Sequence, residues 1–110
     1  MRYVVDIDGT ICDPGPNREK RYTFDTPRKD RIDFINKLYD DGHTIIYLTA
    51  RGMGQFDNCR EIAERTFYDF TWKQLESWGC KFHDLFLGKP AADLYIDDRG
   101  INDHDFFIPN

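Results

Sequence analysis

A chain of 110 residues holds one domain, residues 1–110, and has no room for a second domain over a site. Hydrophobic residues at 40% and charged residues at 32% exclude a disordered chain, and a net charge of −5 argues against a protein built to bind nucleic acid backbones non-specifically. No apolar run reaches membrane-spanning length and no basic, then apolar leader opens the chain, so a cytoplasmic protein with no membrane partner is expected.

Tyr3 to Ile7 is a short apolar, β-branched run ending at Asp8, Gly9 and Thr10, the pattern of a buried strand that meets a functional turn. Ile11 to Asp25 carries Pro14, Gly15 and Pro16 among many charges and reads as a loop, with a short hairpin near Tyr22 to Phe24. Thr26 offers an N-cap and Pro27 a first helical position. Ile32, Ile35, Leu38 and Tyr39 then share one helical face before Gly42 closes the helix. Thr44 to Leu48 is a second buried strand, followed by Thr49, Ala50 and Arg51 and a loop through Gly54. A long helix is expected from Asp57 to Trp78, with Gly79 as its stop. Phe82 to Leu87 and Asp93 to Ile96 read as two more strands, and His104 to Ile108 as a fifth.

Short apolar strands alternating with helices predict an α/β fold: a three-layer, Rossmann-like parallel sheet with helices on both faces. Chemistry in such sheets sits at the carboxyl ends of the strands. Asp6 and Asp8 follow the first strand, Thr49 and Arg51 the second, Lys89 the third, and Asp97 and Asp98 the fourth.

Asp6-Ile7-Asp8-Gly9-Thr10, Thr49-Ala50-Arg51, Gly88-Lys89-Pro90 and Tyr95-Ile96-Asp97-Asp98-Arg99 resemble, in order, the four motifs of the haloacid dehalogenase (HAD) superfamily. The later motifs, with Asp93 between them and Gly100-Ile101 behind, are most similar to small capless phosphatases associated with capsular polysaccharide biosynthesis. The resemblance implies a capless HAD-type phosphohydrolase that takes a small phosphorylated substrate, a sugar phosphate or a nucleotide. It implies that Asp6 attacks phosphorus and binds Mg²⁺, and that Asp8 binds the metal through its carbonyl and serves as general acid and base. Thr49 and the neighbouring Ala50 and Arg51 would then bind the phosphate, Arg51 as a bidentate clamp, and Lys89 would supply positive charge to nucleophile and transition state. The superfamily pattern favours Asp98 as the direct metal ligand, with Asp97 orienting it or binding through water. Asn102 or Asp103 would support that site from behind.

The physical need for such a set is plain, because a carboxylate and a dianionic ester repel each other unless cations neutralise the transferred group. The second aspartate favours phosphate chemistry over attack on carbon, where no alkoxide leaving group needs a proton. Neither gap between motifs holds a cap domain, so an open site is expected. Two other readings stand beside this one. A phosphatase of polynucleotide ends shares the Thr49-x-Arg51 and Asp97-Asp98-Arg99 signatures, against the acidic balance. A phospho-accepting receiver-like switch shares the residue types, but its acceptor would follow the third strand, where this chain has Leu87-Gly88-Lys89.

Arg18, Lys20 and Arg21 suit either a solvated loop or a second anionic group of the substrate. Phe67, Tyr68, Phe70, Trp72 and Trp78 do not fit one narrow helical face, so they either wrap the sheet of a monomer or bury part of the helix in a homo-oligomer. Cys12, Cys59 and Cys80 lack metal spacing and read as free packing thiols. His43, His83 and His104 lack ligand spacing and read as structural or surface residues.

Overall fold

The computed structural model of the protein describes residues 1–16 and 22–108. The loop basics Arg18, Lys20 and Arg21 therefore lie outside the described residues. Strand β1 spans Arg2–Val5 and β2 spans Cys12–Asp13, which pairs antiparallel with β3 at Thr26–Pro27. Helix α1 covers Lys29–Asp40, β4 covers Thr44–Thr49, α2 covers Arg60–Ser77, β5 covers Asp84–Leu87, and the one-turn α3 covers Asp103–Phe106. The main sheet is parallel, in the order β1-β4-β5. Its register sets Tyr3 beside Ile45, Val5 beside Tyr47, Tyr47 beside Leu85, and Thr49 beside Leu87.

Side chains alternate across a strand, so this register puts Val5, Ile45, Tyr47, Leu85 and Leu87 on one face. All of them are buried, in one cluster with Ile32 and Ile35 of α1 and Leu75 of α2. Tyr47 meets Phe82 edge to face at 5.7 Å, and Phe82 meets Trp72 of α2 at 4.8 Å. Both long helices thus cover the same face, as right-handed crossovers require when strand order runs steadily in one direction. On the opposite face Val4 and Phe86 are exposed. The expectation of three layers is corrected here to a parallel sheet covered by helices on one face among the described residues.

Three boundaries also differ from expectation. Thr26 and Pro27 do not open α1, because their backbone pairs with β2 and Arg28 donates its amide to the Ile11 carbonyl at 2.8 Å. Asp93 to Ile96 forms no strand. It curls instead, with the Tyr95 hydroxyl donating to the Pro90 carbonyl and the Lys89 ammonium 4.4 Å from the Tyr95 ring centroid. The expected fifth strand is replaced by α3, which the Asn102 side chain caps by accepting the His104 amide at 3.0 Å.

Phe67, Tyr68, Trp72 and Trp78 pack against the core within one chain, while Phe70 is exposed. No helix among the described residues is long and apolar enough to cross a membrane. Gly52 follows β4 with φ +79°, and a Cβ there would sit 2.8 Å from Phe67 Cδ2 and 3.1 Å from the Ala63 Cβ. Gly52→Ala is therefore expected to cost about 1–3 kcal/mol of stability, read as a lower urea midpoint at unchanged slope.

Candidate functional site

At the carboxyl end of β1 the chain turns sharply. The amides of Thr10 and Ile11 both donate to the Ile7 carbonyl, at 3.0 and 2.9 Å, and Gly9 adopts φ +83°, a conformation that a side chain disfavours. The turn swings Thr10 back so that its hydroxyl donates to Asp6 Oδ2 at 3.1 Å. Lys89, two residues past β5, donates its amide to the Thr49 carbonyl at 3.2 Å and brings its ammonium to 3.5 Å from Asp6 Oδ1. Each Asp6 oxygen thus has its own partner. Burial pushes the Asp6 carboxyl above its ordinary value, while Lys89 and the Thr10 hydroxyl pull it back.

The turn is clamped from outside. Arg28 donates to the Gly9 carbonyl at 3.0 Å and pairs with Asp13 at 2.7 Å. Arg31 donates to the Thr10 carbonyl at 2.9 Å and to Asp103 at 2.6 Å, with its guanidinium 4.6 Å from the Phe107 ring centroid. Asp103 therefore supports the Asp6–Thr10 turn through Arg31, and Asn102 caps α3, neither in the role expected of them.

Asp8 points to a different set of groups. Arg51 Nε donates to Asp8 Oδ2 at 3.0 Å and Arg51 Nη2 to Asp8 Oδ1 at 3.1 Å, a two-pronged pair. The Arg51 side chain is 0% exposed. In this arrangement the guanidinium expected to clamp a phosphate is enclosed and bonded to Asp8 instead. Thr49 is buried as well, and its hydroxyl accepts the Arg51 amide at 3.1 Å. It shapes the turn that carries Arg51; Ala50 beside it stays partly exposed.

Sequence reasoning missed Asp25 and Tyr22, which lie at the end of the loop. The Asp25 side chain is 4% exposed and stands 3.3 Å from Arg51 Nη2. Burial raises its carboxyl, helped by the adjacent Asp8 and opposed by the Gly15 amide and Arg51. Cys12 donates its thiol to Asp8 Oδ1 at 3.5 Å, and burial pushes that thiol far above its ordinary value. It is a protonated packing thiol against the site. Asp8, Cys12 and Asp25 offer ligand atoms within 4.8 Å of one another, yet Arg51 already supplies the cation between the carboxylates.

A cavity of about 620 Å³ wraps the edge of β1 away from β4, lined by Tyr3, Val4 and Val5 of the strand, by Asp6, Thr10 and Lys89, and by Asp93, Leu94, Tyr95 and Ile101. Asp97 and Asp98 are exposed and do not line it. The Asp97 carboxylate accepts the amides of Arg99 and Gly100, which hold it below its ordinary value, and Asp98 stands 3.8 Å from Arg99. The pair expected to join Asp6 as metal ligands stands apart from it in this conformation, on a segment that curls and bonds to its own turn.

For a Mg²⁺ ion the donors fit in part. Asp6 and the Asp8 carbonyl are hard oxygens at the open end of the sheet, as the ion prefers, but the acidic partner expected from the fourth motif is not beside them. His43 and His83 serve the structure: His43 Nδ1 bonds the terminal amine at 2.8 Å, and His83 Nδ1 accepts the Ile45 amide at 3.1 Å. His104 is exposed.

No family model and no curated protein sequence matches the chain. A Vibrio cholerae protein whose crystal structure was determined as an MCSG target is similar in fold. It has a TM-score of 0.82 and 23% identity, over 99% of this chain and 89% of that one. What the comparisons and the structure show together is an α/β fold with a parallel three-stranded sheet.

Proposed function

We propose that the protein is a phosphohydrolase of the capless HAD type, cleaving a small phosphate monoester through an aspartyl phosphate on Asp6. The observation that carries this reading is the Asp6 carboxylate itself, held at the end of a parallel strand with Thr10 on one oxygen and Lys89 at the other. A carboxylate made more basic by burial, yet kept ionised by a neighbouring ammonium, is a prepared nucleophile.

The chemistry follows from the residues in place. Asp6 attacks phosphorus, an Asp6 oxygen–phosphorus bond forms, and the bond to the leaving oxygen breaks as Asp8 gives that oxygen a proton. Asp8 then takes a proton from water that attacks phosphorus, and Asp6 is released with inorganic phosphate. Lys89 offsets the charge that builds on the phosphoryl oxygens. Mg²⁺ remains part of the proposal with Asp6 and Asp8 as ligands, and requires Asp97 or Asp98 to be brought to them. When bound, it would neutralise the phosphoryl group.

Among the described residues no separate domain roofs the cavity of about 620 Å³ beside Asp6, which supports a sugar phosphate or nucleotide over a substrate of one fixed small shape. Release of inorganic phosphate from a panel of sugar phosphates, nucleotides and 3'-phosphorylated oligonucleotides tests the reading, with Mg²⁺ and with EDTA. The expected result is turnover of at least one monomeric ester that EDTA abolishes and Mg²⁺ restores. Turnover confined to oligonucleotide ends would replace the substrate class, and none on any ester would end the enzyme reading.

A further inference from the structure

We infer that Arg51 is a positioning residue for Asp8, fixing the plane of its carboxyl so that the leaving oxygen meets an aimed proton donor. The inference rests on the phosphohydrolase reading above. Burying a guanidinium is costly unless its N–H groups are bonded and its charge is matched. Here Nε and Nη2 grip both oxygens of Asp8, Nη2 also reaches Asp25 Oδ2 at 3.3 Å, and Nη1 reaches the Thr71 hydroxyl at 3.3 Å. The Arg51 guanidinium carbon lies 4.5 Å from the Tyr22 ring centroid. Tyr22 is itself fixed, its hydroxyl accepting the Gly52 amide at 3.1 Å and its carbonyl accepting from Gln74 at 2.6 Å. Contacts from the loop, from α2 and from the turn after β4 therefore leave the guanidinium a single orientation.

Of the three charged side chains in this set, Asp8 is the most exposed. Its side chain is 31% exposed, against 4% for Asp25. The planar fork takes one lone pair from each Asp8 oxygen and the Cys12 thiol takes a second on Oδ1, which leaves Oδ2 as the oxygen open to a proton. The fork thus sets an angle as well as supplying charge, and Arg51 acts through Asp8 without touching the substrate.

The distinction between aiming a proton and merely holding the fold can be measured through the leaving group. An alkyl phosphate cannot expel its alkoxide without a proton, whereas p-nitrophenyl phosphate expels a stable anion. The ratio kcat/KM covers steps through phosphoryl transfer to Asp6, so later hydrolysis of the intermediate does not enter. Arg51→Lys keeps the charge and loses the fork. It is expected to lower kcat/KM about 10²-fold for an alkyl phosphate and less than about 5-fold for p-nitrophenyl phosphate. Asp25→Asn, which keeps an acceptor at Arg51 without its charge, is expected to shift the same ratio about 10-fold, and it carries the comparison where Arg51→Lys does not fold. Equal losses on both esters, or none, overturn the positioning role and leave the enzyme reading standing. Wild-type protein that turns over neither ester overturns both.

Discussion

Asp6→Asn is expected to lower phosphate release by about 10⁴-fold or more while leaving the fold as stable as before or slightly more so. Asparagine has the same shape and can still accept from the Thr10 hydroxyl, but its amide cannot attack phosphorus. The stability half follows from the direction of the Asp6 shift. Burial, the largest influence, outweighs Lys89 and Thr10 and holds the carboxyl above 3.8. A carboxyl that ionises less readily in the folded chain than in the unfolded one contributes stability only at low pH. That contribution is complete below 3.8 and is lost as pH rises through the folded value. Deleting the charge should therefore raise Tm at about pH 7 and make no difference at about pH 3. A variant with normal turnover would remove Asp6 from the chemistry, and one with a much lower Tm would make its carboxylate a structural element.

The largest stability effect is expected at Arg51. Arg51→Met leaves the Asp8 and Asp25 carboxylates side by side without their cation, and breaking a buried pair by removing one partner costs about 3–5 kcal/mol. For a chain of this size that corresponds to a fall in Tm of about 15–25 °C. The deficit should narrow as pH falls, because burial and the adjacent Asp8 already hold the Asp25 carboxyl above its ordinary value. A protonated Asp25 no longer needs the guanidinium. Adding Asp25→Asn to Arg51→Met should likewise restore part of the loss, a coupling that a double-mutant cycle reads directly. A loss under about 1 kcal/mol would show that the enclosed guanidinium and its partners offset one another almost completely.

The segments legible in the sequence are those whose local pattern and final packing agree. β1, α1, β4, α2 and β5 all appear within a few residues of expectation, since apolar periodicity and helix-stop signals report burial on one face. Motif order also singled out Asp6 and Lys89, whose side chains meet across the ends of β1 and β5. What failed is instructive. Leu94-Tyr95-Ile96 has strand-forming residues, but strand formation needs a partner, and Tyr95 instead turns back on Pro90 and Lys89. Arg51 has the residue type of a phosphate clamp. Only tertiary structure shows it enclosed by Asp8, Asp25, Thr71 and Tyr22. The α3 turn was readable, since Asn102 followed by Asp103 and Asp105 is a helix-start signal, and the apolar run behind it drew the strand assignment instead. Asp25 carried no signal at all, because nothing local distinguishes a buried loop carboxylate from a solvated one.

Among the described residues the sheet leaves one side of β1 without a neighbouring strand and one face without helices, and Leu94, 78% exposed, lines the cavity beside that edge. An unpaired parallel edge is a template for pairing with another chain, and apolar side chains beside it add to the attraction. Mutual repulsion among chains carrying a net charge of −5 then becomes a guard against self-association. Conditions that cancel that charge bring such edges of neighbouring molecules within reach of one another, so colloidal behaviour in this protein follows its small excess of acidic over basic residues.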